Sequence, residues 1–232
     1  MRVKNQKILI FSDTHLSKSF DTKTFNFLKK IITSADQVII NGDFWDSWFT
    51  DFDGFLRSEW KGLFPLLLKK NTVYIYGNHD AKSTCDRRVR LFSLIASDSY
   101  EFTHLGKKYR VEHGHKILKG KTSTFMEWYR KLVSSADKNA LRNILFPILH
   151  FFEFIGYRYL GGSVMTNSKI SLRHNRIMKQ SNKGKKFLIC GDSHHAEIDE
   201  RAKYANSGSI LYGNANYLII ENGKIHLHKK DY

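Results

Sequence analysis

Five times along this chain an apolar run ends in aspartate, asparagine or histidine, usually beside glycine, and that recurrence leaves few folds open. The central run covers residues 37–41 and passes into Asn41-Gly42-Asp43-Phe44-Trp45-Asp46. Consecutive β-branched residues favour a strand buried on both faces. Asn-Gly then stops it, because both residues tolerate turn conformations. The other runs are 7–11 before Asp13-Thr14-His15, 72–76 before Gly77-Asn78-His79-Asp80, 109–113 ending in His113-Gly114-His115, and 187–190 before Gly191-Asp192-Ser193-His194-His195. Open α/β sheets build their sites at the carboxyl ends of strands, where these side chains fall.

The intervening segments supply helices. Phe25, Leu28, Ile31 and Ile32 recur at helical spacing over 22–34, so the opening reads β-α-β with a parallel crossover. Residues 44–53 read as an aromatic, acidic loop, and 55–70 as one helix with Pro65 as its weak point. A short helix is expected over 86–97, with Val89, Leu91, Phe92 and Ile95 on its apolar side. A hairpin is expected from 100–104 to 109–113 through Gly106-Lys107, and short strands after 190, one pair joined at Asn222-Gly223. The fold class expected is α/β: a two-sheet β-sandwich flanked by helices.

Residues 119–186 break that rhythm. Phe125, Trp128, Tyr129, Leu132 and Val133 line one helical face, and 145–160 is dense in apolar residues but interrupted by Pro147, Glu153 and Gly156. The expected domain plan is a core of 1–118 and 187–232, with 119–186 as a helical, basic cap insertion. Residues 154–191 carry eight Lys/Arg and no Asp or Glu, against a net charge of +16 for the chain. Such a surplus draws anionic partners: nucleic acid, acidic lipid head groups or phosphorylated substrates.

With 41% hydrophobic and 14% aromatic residues the chain can bury a substantial core. Two cysteines and no Cys-x-x-Cys argue against a disulfide framework or a thiolate zinc site, which fits a reducing cytosol. The apolar run after the basic residues 1–7 is too short for a signal-peptide core, and no run reaches the roughly 18–20 apolar residues a spanning helix needs. The donors at the strand ends are oxygen and imidazole, suited to Mn²⁺, Fe, Zn²⁺ or Mg²⁺.

The order Asp-x-His, Gly-Asp-x-x-Asp, Gly-Asn-His-Asp, His, Gly-x-x-His resembles the calcineurin-like metallophosphoesterase superfamily over residues 7–118 and 187–228. The resemblance implies two divalent metal ions, Mn²⁺ first among the candidates. Asp13, His15 and His194 would hold one, Asn78, His113 and Asp192 the other, and Asp43 would bridge. It implies that His79 is the non-ligand catalytic histidine and Asp46 the acid that pairs with it. One departure is that the final motif reads Gly-Asp-Ser-His where Gly-His-x-His is usual, so that Asp192 stands in a histidine's place, with His195 as a substitute donor.

Residues 41–48 and the helical insert resemble the UDP-2,3-diacylglucosamine pyrophosphatase branch, which serves lipid A synthesis at the inner membrane face. That resemblance implies a lipid-nucleotide substrate, contact with an anionic membrane surface, and a cytoplasmic, peripheral location. Phe152 and Tyr157 would meet acyl chains, and Arg173, Arg176 and Lys179 a diphosphate or lipid heads. Better-known members of the branch have arginine where this chain has His79, and His-Gly-Asp where it has His113-Gly114-His115. The alternatives are a nuclease or nucleotide phosphodiesterase that uses the basic segment against phosphate backbones, and a non-catalytic scaffold of the same fold.

Overall fold

The computed structural model describes residues 6–121 and 167–232, together with Ile148, Ile155 and Tyr159. Among the described residues twelve strands form two sheets: β1 (Ile8–Phe11), β2 (Gln37–Asn41), β3 (Val73–Ile75), β4 (Ile95–Ser97), β5 (Tyr100–His104), β6 (Lys107–Val111), β7 (Phe187–Cys190), β8 (Glu197–Asp199), β9 (Tyr204–Asn206), β10 (Ile210–Leu211), β11 (Asn214–Glu221) and β12 (Lys224–Asp231). The first sheet runs β10-β11-β1-β2-β3-β4 with β12 beside β11, and the second runs β5-β6-β7-β9-β8. Parallel pairing joins β1 to β4 through β2 and β3, and joins β6, β7 and β9. The expected two-sheet α/β architecture is the one observed.

Alternation along each strand sorts side chains into layers. Ile8 and Ile10 of β1, Ile39 of β2 and Ile75 of β3 face Val111 and Ile189 of the second sheet and form the inter-sheet core. Leu9, Phe11, Val38, Ile40 and Tyr74 point the other way, into a larger core under the helices. Those helices are α1 (Thr22–Thr33), α2 (Phe52–Arg57) and α3 (Phe64–Lys69). On the outer face of the second sheet, Leu188, Cys190 and Tyr204 pack against Leu118 of α4 (His115–Leu118) and Met178 of α5 (Lys169–Ser181). The helix α5, read in sequence as part of the insertion, thus lies on the core.

Three local expectations are corrected. Residues 55–70 are α2, a 3-10 turn (Glu59–Leu63) and α3, with Pro65 at the start of α3, where its missing N–H costs nothing. Residues 86–97 form a 3-10 turn (Arg87–Leu91) followed by β4, which adds a parallel edge strand, so Leu91 and Ile95 are exposed instead of lining a helix. The hairpin turns at Leu105-Gly106, both with positive φ, one residue before the expected pair. Phe125, Trp128, Tyr129, Leu132 and Val133 lie outside the described residues. Among the described residues no helix is long and apolar enough to cross a membrane.

Candidate metal centre

The strand ends converge because the backbone turns sharply at the same offset each time. Asp13, Asp43 and Asp192 stand two residues beyond β1, β2 and β7, and all have left-handed φ of 51–57°. His15 and His194, two residues further, have φ of 45° and 58°. Left-handed backbone is costly for residues with a Cβ and persists where the surroundings fix it. The loops after β1 and β7 are therefore built alike, Asp-Thr-His and Asp-Ser-His.

Backbone pairing between loops supplies the fixing. The Asp43 carbonyl accepts from the N–H groups of Thr14 and His15, both at 3.0 Å. The Asp80 carboxylate accepts from the N–H groups of Asp43 (3.1 Å), Phe44 (2.7 Å) and Gly77 (2.6 Å), tying the β2 loop to the β3 loop. Gly77 is required by close approach, since a Cβ there would land on the Asp43 carboxylate and backbone nitrogen. Gly42 combines positive φ with a Cβ position against the His113 ring.

The His113 and His15 imidazoles are each oriented by Nδ1. His113 Nδ1 donates to the Asn41 carbonyl (2.8 Å), leaving Nε2 toward Asp43 Oδ2 (3.2 Å), Asp192 Oδ1 (3.6 Å) and Asp13 Oδ1 (3.9 Å). His15 Nδ1 donates to Asp46 Oδ2 (2.9 Å), leaving Nε2 3.8 Å from Asp43 Oδ2 and 4.0 Å from Asp13 Oδ1. His194 Nε2 lies 3.3 Å from Asp13 Oδ1. The Asp192 backbone N–H donates to Asp13 Oδ2 (3.2 Å), and its carboxylate lies beside His113 Nε2 but in none of the three donor groups within 4.8 Å. Such orientation by a second partner is the usual support of metal-ligating histidines.

A divalent cation fits this donor set. Asp13 Oδ1, His15 Nε2, Asn78 Oδ1 and His113 Nε2 are buried and make no hydrogen bond, although buried polar atoms are normally paired. Among the described residues three donor groups lie within 4.8 Å: Asp13-His15-His194, His15-Asp43-His79 and Asp13-Asp43-His113. Asp13, His15 and Asp43 each belong to two of them, so the three groups overlap in one cluster. Oxygen and imidazole donors without thiolate suit borderline and hard divalent ions.

The charges around His79 and Asp46 define a second unit. His79 Nδ1 and His15 Nδ1 both approach Asp46 Oδ2, and the Trp48 N–H donates to Asp46 Oδ1 (2.8 Å). The Trp48 and His79 rings lie 4.1 Å apart. Burial alone lowers the His79 pKa, but Asp46 and Asp43 raise it to about 9. Burial raises the Asp46 carboxyl, yet the two histidines hold it below the usual carboxylate range. Asp43 is held low against burial by His113 and His79. The two carboxylates thus favour a proton on His79, which is clamped beside the donor cluster.

All nine expected centre residues, Asp13, His15, Asp43, Asp46, Asn78, His79, His113, Asp192 and His194, lie at these strand ends. His115 sits 5.5 Å from the His113 ring but in none of the donor groups, and burial with the His113 charge lowers its pKa to about 4. His195 is likewise outside them. Arg173 and Arg176 are exposed on α5, and Lys179 is ion-paired to Glu197 (2.5 Å) and Asp199 (3.1 Å). Phe152 and Tyr157 lie outside the described residues. Asp80 was visible in Gly77-Asn78-His79-Asp80, but its role as a backbone clamp was not, because nothing in that tetrapeptide says which loop its carboxylate grips.

Comparison with known proteins places this geometry. A family model described as calcineurin-like phosphoesterase matches residues 6–194. No curated protein matches the chain. Among solved structures, an archaeal phosphodiesterase is 16% identical, covering 96% of this chain and 99% of its own, at a TM-score of 0.49. YfcE, a phosphoesterase from E. coli, is 13% identical over 93% of this chain and 88% of its own, at 0.45. Vps29 complexed with Zn²⁺ from Entamoeba histolytica is 13% identical over 97% and 98%, at 0.43.

Proposed function

The chain belongs to the calcineurin-like phosphoesterase family, and we propose that it is a hydrolase of phosphodiester or pyrophosphate bonds that works with two divalent ions, Mn²⁺ foremost. The observation that carries this reading is the convergence of unpaired, buried donor atoms from both sheets on Asp43 Oδ2. Asp13, His15 and His194 would hold one ion, Asn78, His113 and Asp192 the other, with Asp43 between. Bound there, the ions supply Lewis-acid neutralisation of the phosphoryl oxygens and a nucleophile at neutral pH. The protein's own part is to hold those ligands rigidly and to present His79. A protonated His79 gives its proton to the departing oxygen, and Asp46 keeps the ring oriented and charged.

The finer reading is a UDP-2,3-diacylglucosamine pyrophosphatase-like enzyme working in the cytoplasm, peripheral on the membrane. Residues 41–48 and the length and composition of the insertion support it, and Arg173 and Arg176 offer exposed cations. Lys179 is already neutralised by Glu197 and Asp199, which weakens its part in holding a diphosphate. A nuclease reading is favoured by a different feature, a groove of about 450 Å³ with Lys119, Lys121 and Lys183 in its wall beside the ion-paired Arg110, Lys116 and Lys186.

Mn²⁺-dependent turnover of UDP-2,3-diacylglucosamine, bis-p-nitrophenyl phosphate and single-stranded DNA, measured side by side, tests these readings. Cleavage of the chromogenic diester that is abolished by EDTA supports the reaction class. Lipid cleavage then selects the finer reading, and DNA cleavage with steep salt dependence selects the nuclease. The absence of turnover on all three leaves the scaffold role.

A further inference from the structure

Asn206-Ser207-Gly208-Ser209, running from the end of β9 up to β10, has the polar, uncharged composition of a surface turn, yet Asn206, Ser207 and Ser209 are buried. Connecting segments normally run over the surface, because a buried one must find partners for its polar groups. Here the partners are the two Asp-x-His loops. On the β1 side, Ser12 Oγ lies 2.7 Å from Ser207 Oγ and donates to the Gly208 carbonyl (2.9 Å), and the Ile210 N–H donates to the Asp13 carbonyl (3.2 Å). On the β7 side, the Ser207 N–H donates to the Cys190 carbonyl (2.9 Å).

Asn206 grips the β7 loop on both sides of Asp192. Its Nδ2 donates to the Gly191 carbonyl (2.7 Å) and to Ser193 Oγ (3.1 Å), and its Oδ1 accepts from the Gly208 N–H (2.9 Å). Asp192 and His194 have left-handed φ of 57° and 58°, which a loop keeps only where its surroundings fix it. At the β2 loop the Asp80 carboxylate holds backbone N–H groups, and at the β7 loop the Asn206 amide holds a carbonyl and a hydroxyl. The amide is itself held. Asn206 Nδ2 also donates to the Tyr204 hydroxyl (3.3 Å), which in turn donates to Asn175 Oδ1 of α5 (2.7 Å), and Asn175 Nδ2 donates to the Glu197 carboxylate. Asn175, Tyr204 and Asn206 are all buried, so removing one member leaves its partner unsatisfied away from water.

We propose that Asn206 is the positioning residue of the β7 loop, setting the backbone that aims Asp192 and His194 at the metal centre, with the Tyr204 hydroxyl keeping its amide in register; the inference rests on the metal-dependent reading above. Apolar side chains suffice to fill this part of the core, as Leu188, Cys190 and Met178 do around the Tyr204 ring. What an amide adds is direction: donors aimed at Gly191 and Ser193, with a hydroxyl and a second amide behind them. Those bonds act on the backbone flanking Asp192, so a change at Asn206 reaches the metal donors through the loop. Tyr204 acts one bond further out, through Asn206.

The test is a calorimetric Mn²⁺ titration of the EDTA-treated full chain, as wild type, Asn206→Ala, Tyr204→Phe, the double variant and Met178→Ala. Asn206→Ala should weaken Mn²⁺ affinity about ten- to a hundredfold, the usual effect of losing an outer partner of a metal site. Tyr204→Phe keeps the ring and removes one oxygen, and should weaken affinity about three- to tenfold. In the double variant Tyr204→Phe should add nothing, because the hydroxyl acts through the amide that is already gone. Met178→Ala truncates the same cluster without touching this chain of bonds and should keep wild-type affinity, which separates positioning from mere loss of packing. Wild-type affinity in Asn206→Ala, losses that add in the double variant, or an equal loss in Met178→Ala overturns the positioning role. Where Asn206→Ala does not fold, wild-type affinity in Tyr204→Phe overturns it equally. A wild type that binds no Mn²⁺ overturns the metal-dependent reading, and this inference with it.

Discussion

His15 and His79 share one oxygen. Both Nδ1 atoms approach Asp46 Oδ2, at 2.9 and 3.0 Å, and the rings meet edge to face with centroids 4.5 Å apart. The proposed metal-donor histidine and the proposed acid therefore depend on the same carboxylate, and a change at Asp46 is felt in both.

Replacing Asp46 with asparagine removes the charge that holds both rings. Metal affinity should fall about 10- to 100-fold, the usual effect of losing a partner behind a ligating histidine. Turnover should fall a further 10²- to 10⁴-fold, on the order of a general-acid contribution. His79→Gln should lose turnover by a similar factor and keep metal affinity. Calorimetric metal titration beside steady-state kinetics separates the two variants, and unaltered metal affinity in Asp46→Asn contradicts the shared-oxygen account.

Metal binding should release protons at neutral pH. Burial lowers the pKa values of His15 and His113, but Asp46 and Asp43 raise the first, and Asp43 and Asp13 raise the second well above 6.5. Ligation needs neutral imidazole, so affinity should rise with pH across pH 6–8. Calorimetry in buffers of different ionisation enthalpy reads the release directly, and buffer-independent heats contradict it.

The same shifts set the pH dependence of stability in EDTA-treated protein. His79 has its pKa raised from 6.5 to about 9, so its contribution is complete below 6.5 and lost as pH rises through about 9. Asp43 and Asp13, shifted down, contribute above 3.8 and lose that contribution as pH falls. The Tm of chelated protein should therefore decline from pH 6.5 to 9, and Mn²⁺ should reduce the decline. A Tm that rises over that interval contradicts the assignment.

Gly77→Ala tests the close approach of two loops. The added methyl collides with Asp43, so about 1–3 kcal/mol of stability should be lost, and metal binding with it. Retention of wild-type metal affinity contradicts the packing described.

Met178→Ala probes α5 as part of the core. Met178 is fully buried with Leu118, Leu188, Cys190 and Tyr204, so truncation should cost about 2–5 kcal/mol in urea unfolding. Below the transition the variant should bind metal as the wild type does. A cost under 1 kcal/mol would mean that α5 is not anchored there.

Much of this was legible in the sequence. Continuous apolar runs ending in Asp, Asn or His fixed which residues meet, because the parallel strands of both sheets bring their carboxyl ends to the same edge. Helix limits were less legible. Pro65 reads as a helix breaker until its place at a first turn is known, and Ile95 reads as helical until a strand edge is available to pair with it. Asp192 reads as a departure from Gly-His-x-His, yet Asp192-Ser193-His194 repeats the left-handed backbone of Asp13-Thr14-His15. Asp, Asn and His tolerate positive φ better than other residues with a Cβ, but residue type does not say which of them adopts it. The grip of Asp80 on the Asp43 and Phe44 N–H groups is similarly long-range and invisible to local pattern.

The most direct measurement is a Mn²⁺ titration of EDTA-treated protein that reads bound metal and hydrolysis of bis-p-nitrophenyl phosphate together, with Asp43→Asn as the control. Hydrolysis should appear with occupancy, saturate near about two ions per chain, and vanish in Asp43→Asn. Turnover that persists after chelation, or full occupancy without hydrolysis of any phosphoester tested, contradicts the account.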